Sequence, residues 1–499
     1  MKGAIGPMTG RPRKSLGRRG GARATIVLLF ALASASLAAA GMDIPASPPP
    51  PPVTNAGELQ LDYRGDDPYA FEYRDVAVGD VDGVPGLDIV RVGANATSPN
   101  ANITVSSFSE SLGFQNKSGS ELTGAYFSRV EIAQLESDPA PEIVVSGRAF
   151  NQSNGFLEPA VFVYEAASPI ALRANRTLTP KGPAETADFW GVSVGDVDND
   201  GTQEYIAVGT VGYPPAPEYR IRGMVEVGRL SGGSLVPEYS NEFSGSWVDY
   251  RTVQVAELGG PAGPEVIIGG TRDNRSYLGI ARMESGKLEF KANVSFGSTM
   301  YGAVESVDVG DLLTAPGPEI ATCGWQDVPG ASESLATVWQ WDGGSGLSQL
   351  RARNWTGMHK AAACYDVELL DVSGGPEKEY VSTVGFSYND TLPNVMLGEL
   401  MLMTPDLVEI DKLQWTGSDI DHWGMSSGDV DADGQLEIVS VGMKIAGSTV
   451  FGESQVVEIP ERGWIAMPAA AMIILIVGRS RRGLRLRGLS PLGHVPQAL

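Results

Sequence analysis

Residues 192–209 read VSVGDVDNDGTQEYIAVG: an apolar run from Val192, an acidic turn from Asp196 to Glu204, and a second apolar run closed by Gly209. Short Val/Ile-rich runs bounded by Gly and Asp are strands, and so tight a turn makes the pair a hairpin. The phrase occurs six more times, as VAVGDVDGVPGLDIVRVG, VEIAQLESDPAPEIVVSG, VQVAELGGPAGPEVIIGG, VDVGDLLTAPGPEIATCG, VELLDVSGGPEKEYVSTVG and MSSGDVDADGQLEIVSVG. Position 1 of the turn falls at Asp80, Gln134, Asp196, Glu257, Asp311, Asp371 and Asp429, a spacing of 54 to 62 residues. A period of this size marks a chain built of stacked modules. No stretch between the copies has sustained helical periodicity.

Each period holds two further strand-like runs, such as 223–230 with 235–243, or 335–342 with 347–355. Four short antiparallel strands per repeat make the blade of a β-propeller. The seventh copy stops one strand short, after Gln455–Ile459, while the run ELQLDYRG at 58–65 precedes the first copy and has no other use. Joining the two leaves no open sheet edge. The expected fold is therefore all-β, a seven-bladed β-propeller of four-stranded antiparallel blades over residues 58–460, its last blade closed by the N-terminal strand.

Among 499 residues, 42% are apolar and 19% charged, with 62 Gly and 33 Pro, which excludes a coiled coil or a disordered tail. The net charge is −23, yet residues 1–40 hold seven Lys/Arg and residues 479–499 five more, without an acid in either stretch. The part between carries 25 basic against 60 acidic residues, a poor surface for nucleic acid and a good one for cations. Residues 1–40 have the layout of a secretory signal peptide, and 41–57 form a Pro-rich spacer. Residues 461–499 combine an apolar run, Trp464 to Gly478, with the cluster Arg479, Arg481, Arg482, Arg485 and Arg487, a stop-transfer pattern that anchors the body outside the cell at its membrane. Pro460-Glu461 followed by Ile465 to Ala470 and these arginines resembles the archaeal PEF-type C-terminal sorting signal, although Arg462 stands where that family has Phe. The resemblance implies removal of the tail for a lipid-type anchor; a plain membrane helix is the alternative.

The acidic turns carry the clearest chemistry. In the third copy Asp196, Asp198, Asp200 and Glu204 occupy positions 1, 3, 5 and 9, and in the seventh Asp429, Asp431, Asp433 and Glu437 do so, with Gly201 and Gly434 at position 6. Alternate acids around a sharp reversal offer hard oxygen ligands of the kind Ca²⁺ takes. Without an ion, such crowding raises carboxylate pKa values. The first copy keeps Asp80, Asp82 and Asp88 but has Val84 at position 5; the second has Gln134, Glu136, Asp138 and Glu142, the sixth Asp371, Ser373 and Glu379. The fourth and fifth keep only Glu257 with Glu265 and Asp311 with Glu319, and are expected to bind nothing. The turns, with the pairs Trp190-Gly191 and Trp423-Gly424, resemble the calcium loops and the aromatic-glycine opening of FG-GAP (VCBS-type) repeats in the integrin α-chain propeller. That resemblance implies Ca²⁺ as the cofactor, holding hairpins rather than acting on a substrate.

Nine Asn-x-Ser/Thr sequons, at Asn95, Asn102, Asn116, Asn151, Asn175, Asn274, Asn293, Asn354 and Asn389, fall outside the acidic turns, in expected loops between strands two and three or on the outermost strand. Cys323 and Cys364 are either one inter-blade disulfide or two buried thiols. His359 and His422 are expected in inter-blade loops with Tyr69, Phe71, Tyr126, Phe127, Trp190, Trp247, Tyr250, Tyr301, Trp355 and Trp423, on the face opposite the acidic turns. No nucleophile motif, phosphate loop or zinc spacing accompanies them, so the expectation is a non-enzymatic adhesion or ligand-binding module for an extracellular carbohydrate or protein. A calcium-dependent carbohydrate-active enzyme such as a polysaccharide lyase is the alternative, signalled by Lys/Arg, Tyr and carboxylate converging on the aromatic face. A structural envelope glycoprotein is the third reading.

Overall fold

The computed structural model describes residues 59–459 apart from short loops inside that range; the expected signal peptide, spacer and C-terminal segment lie outside the described residues. Among the described residues, twenty-eight strands form seven four-stranded antiparallel sheets, six of them consecutive in sequence. The seventh contains Asp419–Gly428, Leu436–Ala446 and Thr449–Ile459, and its fourth member is the N-terminal strand Gln60–Asp67. That strand pairs antiparallel with the last one, Leu61 opposite Val457. The seven-bladed propeller closes as the sequence requires. No helix among the described residues is long and apolar enough to cross a membrane.

Blades stack face to face, so middle strands are buried on both sides and read as unbroken apolar runs instead of alternating ones. Residues 204–209, at the start of the third blade's second strand, are all buried, whereas the fourth strand of the fifth blade, Leu347–Trp355, is mostly exposed. The apolar side chains form seven clusters, one at each junction between neighbouring blades.

Each blade's first strand lines the axis and has no strand on its inner side. Side chains of the preceding blade satisfy its free N–H groups, as buried backbone donors demand. Val78 N–H donates to Ser426 Oγ (3.2 Å), Val130 to Asp75 (2.8 Å), Val194 to Glu131 (3.2 Å), Val255 to Ser193 (3.1 Å), Leu369 to Asp308 (2.7 Å) and Met425 to Asp366 (2.9 Å). The Ser426 bond ties the last blade to the first.

All seven first strands also carry a bulge at the same place, between Phe189 and Gly191 in the third blade for example. The bulge presses a first-strand carbonyl against the second strand: a Cβ on Gly209 would lie 1.9 Å from Asp188 O, and one on Gly442 2.0 Å from Asp421 O. The glycine ending every copy of the repeated phrase is thus a requirement of close backbone approach.

Cys323, in the second strand of the fifth blade, and Cys364, in the first strand of the sixth, form a disulfide with Cα atoms 5.6 Å apart. Such a bond belongs to an oxidising, extracellular-type compartment. Closing a loop of 41 residues restricts the unfolded chain by about 4 kcal/mol on the loop-entropy relation. Denaturant unfolding with and without reductant is expected to show a loss of that order, and the C323S/C364S variant should lose the response to reductant.

Of the sequons, Asn116, Asn175, Asn293 and Asn354 lie exposed on fourth strands and Asn274 in an exposed turn. Asn95 and Asn151 end second strands, and Asn102 lies on a third strand between Gly93 and Glu121, because these hairpins extend further than their polar sequence suggests. All three are half-buried rather than in open loops. Asn389 is outside the described residues.

Candidate functional site

The acidic turns gather at one end of the propeller. Position 9 plays the same structural part in six blades, because one oxygen of its carboxylate accepts the N–H of position 2. The bonds run from Val81 to Asp88 (3.2 Å), Leu135 to Glu142 (2.8 Å), Val197 to Glu204 (3.0 Å), Leu258 to Glu265 (2.8 Å), Leu312 to Glu319 (2.9 Å) and Val430 to Glu437 (2.8 Å). This bond explains why the ninth acid persists in blades whose other acids have gone.

What the second oxygen meets separates the blades. In the first, Lys117 Nζ lies 2.7 Å from Asp88 Oδ1 and 2.9 Å from Asp82. In the second, Arg173 pairs with Glu142 (3.3 Å) and Glu136, and in the fourth Arg282 Nε donates to Glu265 Oε1 (2.8 Å). These ammonium and guanidinium groups put positive charge where an ion would sit. In the third and fifth blades the fully buried Glu204 and Glu319 keep Oε1 without a hydrogen-bond partner, and in the seventh Oδ1 of the position-1 acid Asp429 is buried and unpartnered. Of these turns only the third and seventh add further converging acids among the described residues.

Three sets of carboxylates converge closely enough to hold one metal ion: Asp80, Asp82 and Asp88; Asp196, Asp198 and Glu204; and Asp429, Asp431 and Glu437, each with oxygens within 4.8 Å of one another. Asp200 and Asp433 are not in these groups. Their carboxylates accept the N–H of Thr202 and Gln435 (2.8 Å each), shaping the turn. The reversal has its expected backbone, φ +87° at Gly201 and +94° at Gly434, with Asn199 and Ala432 also left-handed. Burial, then the charges of neighbouring turn acids, pushes Glu204 and Glu437 up to about 8. In the first blade, Lys117 overcomes the effect of burial and holds Asp82 below its ordinary value. The third and seventh sites thus fit a divalent cation on donor chemistry and on orphaned oxygens, while in the first Lys117 already offsets part of the charge. Replacing Lys117 by Met should destabilise the cation-free protein by about 1–2 kcal/mol, since the pair is partly exposed, and add one calcium-binding event in calorimetry. Lys117, Arg173 and Arg282 were not picked out by the motif; the signal that finds them is a basic residue on the fourth strand (Lys117, Arg173) or third strand (Arg282) of a blade whose turn is otherwise uncompensated. Asp138 lies outside the described residues.

The opposite end of the axis holds the second cluster. The bulges direct Arg74, Ser128, Trp190, Arg251, Glu305, Tyr365 and Trp423 toward the channel mouth. The Arg74 guanidinium stacks 3.9 Å over Trp423 and pairs with Glu72 at 2.7 Å, while the Trp423 indole donates to Asp421 Oδ2 (2.9 Å). Arg148 reaches Asp188 (3.4 Å), Arg251 reaches Asp249 (3.0 Å) and Glu305, and the Trp325 indole donates to Glu305 (2.7 Å). Below them Arg129 crosses the channel, 3.1 Å from Asp75 and 3.2 Å from Asp366. Asp188 and Asp421 are only 5% and 6% exposed, and each has an Oδ1 without a partner. Burial raises Asp421 to about 8 and Asp188 to about 6, against the pull of nearby arginines.

The aromatics expected in inter-blade loops sit mainly on first strands. Phe127 and Tyr250 are packed between blades, and Trp190 is exposed. His422 is not in a loop either; it is fully buried in the seventh blade's first strand, stacked on Trp415 at 4.5 Å with Nδ1 on Ser440. His359 and Tyr69 lie outside the described residues.

No protein-family profile matches the chain, and no curated protein matches it in sequence. Among solved structures it is similar to Sqt1 of Chaetomium thermophilum, with TM-score 0.41 and 14% identity over 74% of this chain and 78% of that one. It is also similar to the rhamnogalacturonan lyase PL11 of Bacillus licheniformis, with TM-score 0.39 and 12% identity over 82% of this chain and 75% of that one.

Proposed function

We propose that the protein is a cell-surface binding module of the FG-GAP type, stiffened by Ca²⁺ in its third and seventh blades, that takes a saccharide at the axial mouth. Asp196, Asp198 and Glu204, and Asp429, Asp431 and Glu437, would hold the ions; bound calcium neutralises the crowded carboxylates and fixes the hairpins. The observation that carries the ligand reading is the pair of buried, unpartnered oxygens Asp188 Oδ1 and Asp421 Oδ1 beside Trp190 and Trp423. Near neutral pH Asp188, raised to about 6, accepts hydrogen bonds, while Asp421, raised to about 8, is mostly protonated and can also donate, so the pair suits hydroxyl groups, which do both, and indole faces suit the C–H faces of sugar rings. Five acids at the mouth, Glu72, Asp188, Asp249, Glu305 and Asp421, outnumber Arg74, Arg148 and Arg251, which favours neutral sugars over anionic ones. The disulfide and exposed sequons support an extracellular body, and the Arg-flanked C-terminal run supports membrane anchoring. A glycan array on the secreted protein tests the reading. Binding should fall at least tenfold in D421N and W423A while both keep the parent melting temperature; undiminished binding in both variants would sink the mouth as the site.

A second reading, a calcium-dependent polysaccharide lyase, is favoured by the convergence of Arg251, Glu305 and Tyr365 at the same mouth. Release of unsaturated sugars from a bound polysaccharide would establish it.

A further inference from the structure

Every fourth strand carries its own bulge, and in six blades it falls on the same rung, one or two residues beyond the ninth acid. The bulged residues are Lys117, Arg173, Glu238, Lys291, Leu350 and, on the N-terminal closing strand, Asp62. From this place Lys117 and Arg173 reach the ninth carboxylate of their blades, which shows where the position points. The two blades whose turns retain all four acids have an acid there instead, so their charge is increased rather than compensated. Glu238 is tempered by Arg229 at 3.0 Å; Asp62 has no basic partner, and it shares its surroundings with Asp431, Asp433, Glu458 and Glu110. Glu458 itself faces Gln60 on one side and Glu437 on the other. Glu204 Oε1 and Asp429 Oδ1 are buried and unpartnered in the same two turns; the fifth blade's Glu319 Oε1 is also unpartnered, but among the described residues it belongs to no group of three converging acids.

We propose that in the first, second, third and seventh blades the fourth-strand bulge sets what cation the turn uses, a side chain where it is basic and a divalent ion where it is acidic; in the fourth the bulged Lys291 pairs with Glu284 (2.6 Å) and Arg282 of the third strand meets the ninth acid instead. In the seventh blade Asp62 is then a further ligand of the ion held by Asp429, Asp431 and Glu437. That ion spans the chain's first strand and its last hairpin, and its binding clasps the ring shut. The inference rests on the calcium reading above, but makes a claim of its own about the closing strand.

Calorimetric titration of CaCl₂ into the chelator-stripped full-length protein, together with hydrogen exchange of the closing-strand amides, tests it. The parent protein should take up two ions, with calcium slowing exchange across residues 60–66 at least tenfold. D62N, nearly isosteric, should weaken one ion at least tenfold. D62K, which copies the first blade's arrangement, should remove that ion and leave the closing strand protected with or without calcium. E238K should remove the other ion without altering closing-strand exchange. Unchanged stoichiometry and affinity in D62N, or exchange in the parent that ignores calcium, overturns the proposal. If the parent binds no ion the calcium reading falls with it; if ions bind and Asp62 is irrelevant, only the clasp falls.

Discussion

A chain that begins at Phe71 is expected to give no folded monomer, whereas one that begins at Glu58 folds. The difference is a single strand, yet that strand supplies the pairing partner of Thr449–Ile459 from Gln60 to Asp67 and places Leu59, 2% exposed, and Leu61 in the junction between the last two blades. It also brings Arg64 to the buried Glu453 and sets Tyr63 edge-on against Phe108 (5.8 Å) and Phe114 (5.4 Å) of the first blade. Without it an apolar strand edge lies open, the setting for association through added strands. Size-exclusion chromatography should show aggregates for the shorter chain. A gentler form of the same experiment is R64A, which leaves Glu453 charged and without its guanidinium; removing one partner of a buried pair costs about 3 kcal/mol or more, read as a lower denaturation midpoint.

Chelation of calcium should lower the melting temperature by about 6 °C. At a hundredfold excess of ion over Kd each site adds about 2.7 kcal/mol, so two sites add about 5. Spread over the unfolding entropy of a body of about 400 residues, that gives a shift of this size. The E204Q/E437Q variant is the control: glutamine keeps a carbonyl oxygen for the N–H groups of Val197 and Val430 but withdraws a charge from each cluster. It should melt at the same temperature with and without calcium. Magnesium, which demands a tighter octahedron and gives up its water reluctantly, should not replace calcium. Equal melting of the parent protein in both conditions would refute metal stiffening.

The propeller was legible because its signals are periodic. Seven copies of one hairpin, a missing last strand and a spare first one leave few topologies, and the pairing of Leu61 with Val457 follows from that count. The position-6 glycines and the convergence of positions 1, 3 and 9 were equally readable, since a turn is local. Charge compensation was not: Lys117 is 29 residues beyond Asp88 in sequence, and only the shared sheet brings them together. Position 5 stands apart from the three converging acids, since Asp200 and Asp433 each accept a backbone N–H of the turn through one oxygen. The mouth was hidden by the first-strand bulges, which turn residues from apparent loops such as Trp423 toward the axis and put His422 into the core. The glycines of the second strands recorded those bulges, but a glycine in a sequence does not say which backbone is pressing on it.

Closure by the first strand sets a condition on how the protein is made. Gln60 emerges from the ribosome almost 400 residues before its partner Glu458. At roughly 5–20 residues per second, it must wait about 20–80 s with its edge unmated. Only a chain translated as far as Ile459 can complete the circle, so the last sheet acts as a proofreading step against copies cut short before it, whose unmated edges stay open to neighbours.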